Sequence, residues 1–361
     1  MSMEYVPREI IGHGSFGVIR KVIRSDGVVL ARKEISYKSM NQKERTQLIS
    51  EFRILKSLVH PNIVHYLHHE HVPESQEVHL YMEYCGGGDL GSIIRNIKAS
   101  DGYFPENEVW NVLTQMCLAL YRCHYNTDAA PQPASILSPE SNNNKTNEGL
   151  PQSFVLHRDI KPENIFLDVD KPYSKIKLGD FGLAKLLDGD HPLATTYVGT
   201  PYYMSPEVLT DQPSTPASDI WSLGCVIYEL CAKHPPFQAK SHLQLCQRVQ
   251  EGKIKPLPSY YSHTLARTVA ACLQISPSHR PTAATLLNLD IIKISRKEIE
   301  LKERQYLIQK REEELDHVVT RLNTDLENVI QEEVERRVEQ RQQQPGLSSP
   351  LARKLLHEKS R

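Results

Sequence analysis

The 361-residue chain lacks an excess of charge of either sign: 43 Lys and Arg stand against 44 Asp and Glu, a formal net charge of −1. That balance excludes the globally basic surface used to hold nucleic acid or an anionic membrane. No run of 18 or more apolar residues occurs, so no membrane-spanning helix is expected. Met1 to Arg8 holds no apolar leader stretch, and Lys359-Ser360-Arg361 is neither a prenylation nor an ER-retention signal. Cysteine is scarce and unpaired in pattern. Cys85, Cys117, Cys123, Cys225, Cys231, Cys246 and Cys272 form no C-x-x-C, and an odd set without a secretory signal is expected to be reduced thiols of the cytosol or nucleus. His65, His68, His69 and His71 follow the apolar Ile63-Val64 without a Cys or acidic ligand at the usual spacing, and are read as a polar segment rather than a metal site.

What is present is a globular composition, 39% hydrophobic and 24% charged, long enough for roughly two domains. The charge is unevenly divided. Residues 296–341 hold 13 acids and 10 bases in 46 positions, which separates a body of about 292 residues from a highly charged tail. Inside the body, residues 126–153 carry Pro131, Pro133, Pro139 and Pro151, an Asn142-Asn143-Asn144 run and few large apolar side chains. Such a stretch buries too little apolar surface to offset its ordering entropy, and is expected to be a disordered surface insertion.

Near the N-terminus Gly12-His13-Gly14-Ser15-Phe16-Gly17-Val18 fits G-x-G-x-x-G-x-V. A dinucleotide fingerprint of this kind opens a helix. Here Val18–Arg24 is strand-like, Ser25-Asp26-Gly27 is a turn, and Val28–Ala31 is a second strand. The glycines therefore sit at the bend of antiparallel strands, where backbone N–H groups can approach a triphosphate; glycines that merely make a turn are the alternative. The second strand ends in Leu30-Ala31-Arg32-Lys33, resembling the V-A-I-K strand of protein kinases with Arg32 as a departure. Asn41 to Glu44 can cap a helix whose buried stripe is Leu48, Phe52 and Leu55, with Glu51 on its flank as the ion-pair partner of Lys33. A solvated Glu51 is the alternative.

Further on, His157-Arg158-Asp159-Ile160-Lys161-Pro162-Glu163-Asn164 fits H-R-D-x-K-x-x-N, Asp180-Phe181-Gly182 follows a strand-like Lys175–Leu178, and Ser205-Pro206-Glu207 takes the place of A-P-E. In this order and spacing the body, from about Tyr5 to about Ile292, resembles a eukaryotic protein kinase. The resemblance implies an α+β, bilobal fold: a small β-rich N-lobe over about 5–82, a larger mainly helical C-lobe over about 86–292, then a charged helix or coiled coil over 293–343 and a disordered tail over 344–361. It implies ATP and Mg²⁺ as cofactors and a serine/threonine kinase activity, since Lys161 replaces the A-A-R of tyrosine kinases. Phosphoryl transfer needs positioning and charge neutralisation. Asp159 would accept the substrate hydroxyl's proton, Lys161 and Lys33 would neutralise phosphate charge, and Asn164 and Asp180 would hold Mg²⁺ through hard oxygen ligands. Ile11, Gly12, His13, Gly14, Ser15, Phe16, Gly17, Val18 and Ile19 would cover the nucleotide, with Val18, Ala31 and Phe166 around adenine. Met82 matches the gatekeeper, Glu83 and Cys85 the hinge, and Asp89 a ribose contact; for Met82 and Cys85 a purely packing role is the alternative. Leu55, Tyr66, His157 and Phe181 match an apolar spine, Asp219 an anchor of the catalytic loop, and Glu207 and Arg280 an ion pair of the large lobe. Glu163 reads either as an attractor of a basic substrate residue or as a solvated carboxylate.

Gly199-Thr200-Pro201-Tyr202-Tyr203-Met204-Ser205-Pro206-Glu207 and Met82-Glu83-Tyr84-Cys85-Gly86-Gly87-Gly88-Asp89-Leu90 look like the NIMA-related kinases, and the insertion and Trp221–Tyr228 look most like the fungal members. That family implies mitotic duties, a nuclear and cytoplasmic location with spindle-pole association, and protein substrates with an apolar residue at −3. Arg158 beside Asp159 suggests control by activation-loop phosphorylation, with Thr196 the first choice and Thr195 the second, while Thr200 is expected to bond Asp159 and Lys161. In the tail Ile294, Leu301, Ile308, Leu315, Leu322 and Val329 recur every seven residues, and the second column, Glu298, Gln305, Glu312, Val319 and Leu326, turns apolar only at its end. A homodimer through this helix is expected, and a single helix docking on its own catalytic domain is the alternative. A pseudokinase acting as a coiled-coil scaffold is the competing function; it would be expected to have lost Lys33, Asp159, Asn164 or Asp180.

Overall fold

The structure is a computed structural model that describes residues 4–14, 17–131, 153–168, 175–181, 185–188 and 201–342. The chain divides into two compact units, 1–302 and 303–361.

The first unit opens with a hairpin, β1 (Tyr5–Gly14) and β2 (Gly17–Arg24), joined to β3 (Val29–Ser36) through a turn at Gly27, whose φ of 87° lies in the region glycine tolerates. The capped helix expected after it is α1 (Gln42–Ser57), with Leu48 and Leu55 buried and Phe52 half-buried against the core. β4 (Tyr66–Val72) and β5 (Glu77–Glu83) complete an antiparallel sheet of order β1-β2-β3-β5-β4. The periodicity in β3 is that of a half-buried strand: Leu30, Ala31, Lys33 and Ile35 are buried, while Arg32 and Glu34 pair with each other. Arg32 thus departs from the apolar residue of the motif without burying a lone charge.

The larger part is helical. α2 (Leu90–Ala99) is capped by Asp89, whose Oδ1 accepts from the Ser92 N–H at 2.7 Å. α3 (Glu106–Tyr125) buries residues on nearly every side and ends at Asn126 in the left-handed conformation. Three short strands follow: β6 (Ser153–Leu156), β7 (Ile165–Asp168) and β8 (Lys175–Leu178). β9 (Lys185–Asp188) pairs with β6, and β7 with β8. Ser153, expected as the last insertion residue, is instead the first of β6, opposite Asp188. α4 (Pro206–Leu209) precedes α5 (Pro216–Ala232), which starts with a Thr215–Ser218 capping box and Pro216 in its first turn. α5 is buried nearly all round, with Trp221 fully inside against Phe237 at 5.6 Å. α6 (His242–Glu251), α7 (His263–Cys272) and α8 (Ala283–Leu287) close the lobe.

The last helix, α9, runs Asp290–Gln342 and so begins three residues before the expected 293. The rise in charge at 296 suggested the later start, but Ile292, Ser295 and Arg296 are still buried, and Arg296 Nη2 donates to Ala130 O at 2.8 Å. In the second unit the heptad residues Ile308, Leu315, Leu322, Val329, Val319 and Leu326 are all exposed, flanked by ion pairs such as Arg337–Glu333 at 2.8 Å. Among the described residues no helix is long and apolar enough to cross a membrane.

Candidate active site

The β1–β2 hairpin brings the glycine-rich loop to its bend. Gly14 faces Gly17 in register and His13 faces Val18. A Cβ on Gly17 would lie 1.8 Å from Glu34 O, so no larger residue fits beside β3. Ser15 and Phe16, two of the expected nucleotide contacts, lie outside the described residues. On β3, Ala31 pairs with Met82 and Lys33 with Leu80, which sets the Lys33 side chain into the interior.

Lys33 is 5% exposed, and its Nζ stands 3.2 Å from Asp180 Oδ1. Burial alone would raise the Asp180 carboxyl, but the Lys33 ammonium outweighs it and the net pKa is lowered, so the carboxylate stays ionised. Glu51 lies in α1, and its side chain is not among those described.

The catalytic-loop segment is suspended from α5. The buried Asp219 accepts from the backbone N–H of His157 (3.1 Å) and of Arg158 (2.9 Å), and its Oδ2 meets His124 Nε2 at 2.9 Å. Burial, the largest single effect, raises the Asp219 carboxyl, but the His124 bond, the neighbouring His124 and His157 rings and the Arg158 N–H together outweigh it, and the pKa is lowered overall. This grip holds Arg158 at φ 69°, a strained conformation for a non-glycine residue. The His157 ring accepts from the Asp159 N–H at Nδ1 (3.3 Å), which assigns its proton to Nε2, facing Gly179 O at 3.0 Å. Burial lowers the pKa of that ring and keeps it neutral. Phe181 packs edge-on against it at 4.7 Å; Leu55 and Phe181 belong to one apolar core, and Tyr66 is partly buried against that core.

Asp159 Oδ2 accepts from Lys161 Nζ (2.7 Å) and Asn164 Nδ2 (3.0 Å), while the same Asn164 nitrogen donates to Asp159 O at 2.7 Å. The Asn164 amide is thereby oriented with its oxygen as the remaining ligand atom. Gly179 N donates to Asn164 O at 2.9 Å, which ties the Asp180 turn to the Asn164 loop. An ionised carboxylate and an oriented amide oxygen are the hard-oxygen donor set a magnesium ion prefers, so these residues fit that ion.

Other expected positions are placed with additional duties. Phe166 lies under Gly179, whose added Cβ would sit 2.8 Å from it. The Glu83 side chain accepts from Lys177 Nζ (2.7 Å) and from His65 N (2.6 Å). Asp89, expected at the ribose, is the cap of α2. Glu207 and Arg280 form a buried bidentate pair at 2.7 Å, with Ser218 Oγ also donating to Glu207. The histidines of β4 each meet a tyrosine hydroxyl: His68 with Tyr5 (3.0 Å), His69 with Tyr66 (2.6 Å) and His71 with Tyr37 (2.7 Å). Thr195, Thr196 and Thr200 lie outside the described residues. Lys177, Asn62 and Gln115 were not singled out in the sequence, because each belongs to a strand, turn or helix interior with no motif spacing to mark it.

A cleft between an antiparallel sheet and a helical lobe, with a buried lysine facing one carboxylate and a second carboxylate held by lysine and asparagine, defines a phosphoryl-transfer domain of the bilobal kinase type. The protein kinase domain model matches residues 5–128 and 148–292, leaving out the middle of the proline- and asparagine-rich insertion. The chain is 51% identical over 311 residues to the G2-specific protein kinase nimA of Emericella nidulans, covering 86% of this chain and 44% of that protein. It is 38% identical over 365 residues to the G2-specific protein kinase fin1 of Schizosaccharomyces pombe (93% and 48%), and 41% identical over 283 residues to the serine/threonine-protein kinase Nek2 of Homo sapiens (78% and 58%). The chain belongs to the protein kinase family, in its NIMA-related serine/threonine branch alongside the fungal members. It spans less than half the length of the three fungal relatives.

Proposed function

We propose that this protein phosphorylates Ser and Thr hydroxyls of protein substrates with ATP, in mitotic and cell-cycle control; its three fungal relatives are each named as G2-specific protein kinases. The observation that carries this reading is the joining of Lys33, Asp180, Asn164, Lys161 and Asp159 in one hydrogen-bonded set from three separate segments, β3, the catalytic loop and the turn after β8. In the reaction the substrate oxygen bonds to the terminal phosphorus of ATP as the bond to the bridging oxygen breaks, and ADP departs. Asp159, restrained at Oδ2 by Lys161 and Asn164, orients the hydroxyl and receives its proton. Lys33 binds nucleotide phosphates from the sheet side, and Lys161 offsets charge at the transferring group. Asn164 and Asp180 would hold Mg²⁺, which when bound would supply neutralisation of phosphate charge. Ile11, Gly12, His13, Gly14, Gly17, Val18 and Ile19, with Ser15 and Phe16, cover the nucleotide, and Ala31, Met82, Glu83, Cys85 and Phe166 surround its base.

Transfer of labelled phosphate to a generic protein substrate tests this reading. Lys33→Met and Asp159→Ala are each expected to reduce it to background; transfer by Asp159→Ala at the unsubstituted rate would favour a contaminating kinase, and none by the full chain would favour the scaffold reading. Phosphorylation of Thr196, with Thr195 second, is proposed to order the activation segment through Arg158. Burial lowers the pKa of that guanidinium, so a facing phosphate would offset a desolvated charge. Thr196→Ala is expected to lower activity sharply and Thr196→Glu to restore part of it. Full activity in the alanine variant would reject the assignment.

The exposed apolar seam of the second unit supports a homodimer through residues 303–342. Nuclear and cytoplasmic residence, with spindle-pole association, follows from the same family reading and is tested by imaging the tagged protein through the cell cycle.

A further inference from the structure

Among the described residues β8 has a strand neighbour, β7, on one side only, with a single isolated parallel bridge from Leu178 to Ile63 on the other, and it leads directly into Asp180. Its other edge is covered by groups from both lobes. The Ile176 N–H donates to Gln115 Oε1 at 2.8 Å, and Ile176 O accepts from Asn62 Nδ2 at 2.9 Å. Asn62 Nδ2 also donates to Gln115 Oε1 at 2.7 Å, so the two side-chain amides and the backbone N–H and C=O of Ile176 form a closed, buried set. Two residues along, the Leu178 N–H donates to Asn62 O at 2.9 Å and Leu178 O accepts from Val64 N at 2.9 Å. Asn62 is 5% exposed and Gln115 1%, and the Asn62 N–H is itself fixed by His60 Nδ1 at 3.0 Å. The orientation of the Gln115 amide is set from α3: its Nε2 donates to Asn111 Oδ1 (2.8 Å), and Asn111 Nδ2 donates to Glu108 Oε2 (3.1 Å).

We propose that Asn62 and Gln115 are positioning residues for Asp180: a buried amide pair that fixes β8 from the turn after α1 on one side and from α3 on the other. Neither is among the residues assigned to nucleotide or metal. The reasoning is geometric. A strand edge without a neighbouring strand has donors and acceptors to satisfy, and here side-chain amides meet that need at fixed length. Apolar residues at 62 and 115 would pack, but would leave Ile176 free to shift along the cleft floor. A shift there moves Gly179, whose N–H and O are held by Asn164 and His157, and with it the Asp180 carboxylate facing Lys33.

The proposal rests on the kinase reading, and its test separates the two. Gln115→Met keeps the volume and removes the shared acceptor. In the full chain it is expected to raise the KM for ATP roughly tenfold or more, as loss of an outer support of a metal ligand does, with the KM for a peptide substrate within about twofold. In the nucleotide-free protein, amide exchange at Leu178 and Gly179 is expected to quicken while that of α5 does not change. An unaltered KM for ATP together with unaltered exchange at Leu178 and Gly179 would overturn it. So would equal rises in both KM values with faster exchange throughout the lobe, since that marks general destabilisation. If Gln115→Met does not fold, Asn111→Ala, which removes the bond that orients Gln115 together with Asn111's own bond to Glu108, is read the same way with a smaller expected change. Absence of transfer by the unsubstituted chain would count against the kinase reading, and the exchange measurement would still decide the role of the pair.

Discussion

Arg280 and Glu207 illustrate what a single buried pair does in this chain. Burial would raise the Glu207 carboxyl, but the Arg280 guanidinium, bonded through two nitrogens, outweighs it and the pKa is lowered. Arg280 also donates to three backbone carbonyls, of Gln274, Ala217 and Ile275, and stacks over Trp221 at 5.0 Å. Arg280→Ala therefore strands a carboxylate and three carbonyls, and is expected to destabilise the domain by about 3–5 kcal/mol, measurable by urea denaturation. A loss under about 1 kcal/mol would mean that water replaces the guanidinium. Gly179 is constrained in a different way. An added Cβ would meet Phe166 and Val64, each at 2.8 Å. Gly179→Ala is expected to impair nucleotide binding more than stability, since the neighbouring Asp180 must move to relieve the contact; a binding titration against the melting temperature separates the two effects.

At the level of elements, α9 is one helix with two environments. Its first turns carry Ile292, Ser295 and Arg296 into the core, whereas beyond Lys302 the apolar residues are exposed and the side-chain pairs run along the surface. Exposed pairs of that kind contribute only about 0.3–0.5 kcal/mol each, so they add little to the stability of the second stretch. A chain ending at Lys302 is expected to keep the melting temperature of the catalytic domain, while one ending at Ile292 is expected to melt several degrees lower. Equal melting of the two truncations would show that the Arg296–Ala130 contact adds nothing. The rise in charge that suggested a start at 293 reports where the composition changes, not the point at which the helix leaves the core, and α9 begins at Asp290.

For the molecule as a whole, association and acid stability are the measurable consequences. If residues 303–342 pair between chains, autophosphorylation of the full chain should depend on protein concentration, and deletion of those residues should flatten that dependence. Concentration-independent activation of the full chain would reject pairing as the mechanism. Glu207 and Asp219 both have lowered folded-state pKa values. Groups of this kind add stability that is complete above their ordinary values of 4.5 and 3.8, and it is lost as pH falls through the lowered ones. The melting temperature is therefore expected to hold from neutrality to about pH 5 and to drop below it, as followed by circular dichroism. A drop beginning near pH 6.5 would instead point to histidines.

Much of the catalytic region was legible in the linear order. Lys33, Asp159, Lys161, Asn164 and Asp180 stand in local patterns whose spacing is dictated by a strand, a loop and a turn, and such short-range constraints are written in consecutive residues. The class of protein followed from them. The supports of those residues were not legible in the same way. Asn62 and Gln115, Lys177 with Glu83, and Arg296 with Ala130 are joined across tens to more than a hundred positions. Nothing in the local pattern of an amide or a lysine says which distant partner it will meet. Sequence by itself determined which groups can carry the chemistry, because their identities and local spacings are covalent facts. Only the tertiary structure decided what holds them in place, because a buried polar side chain takes its partner from whatever packing brings within hydrogen-bond reach.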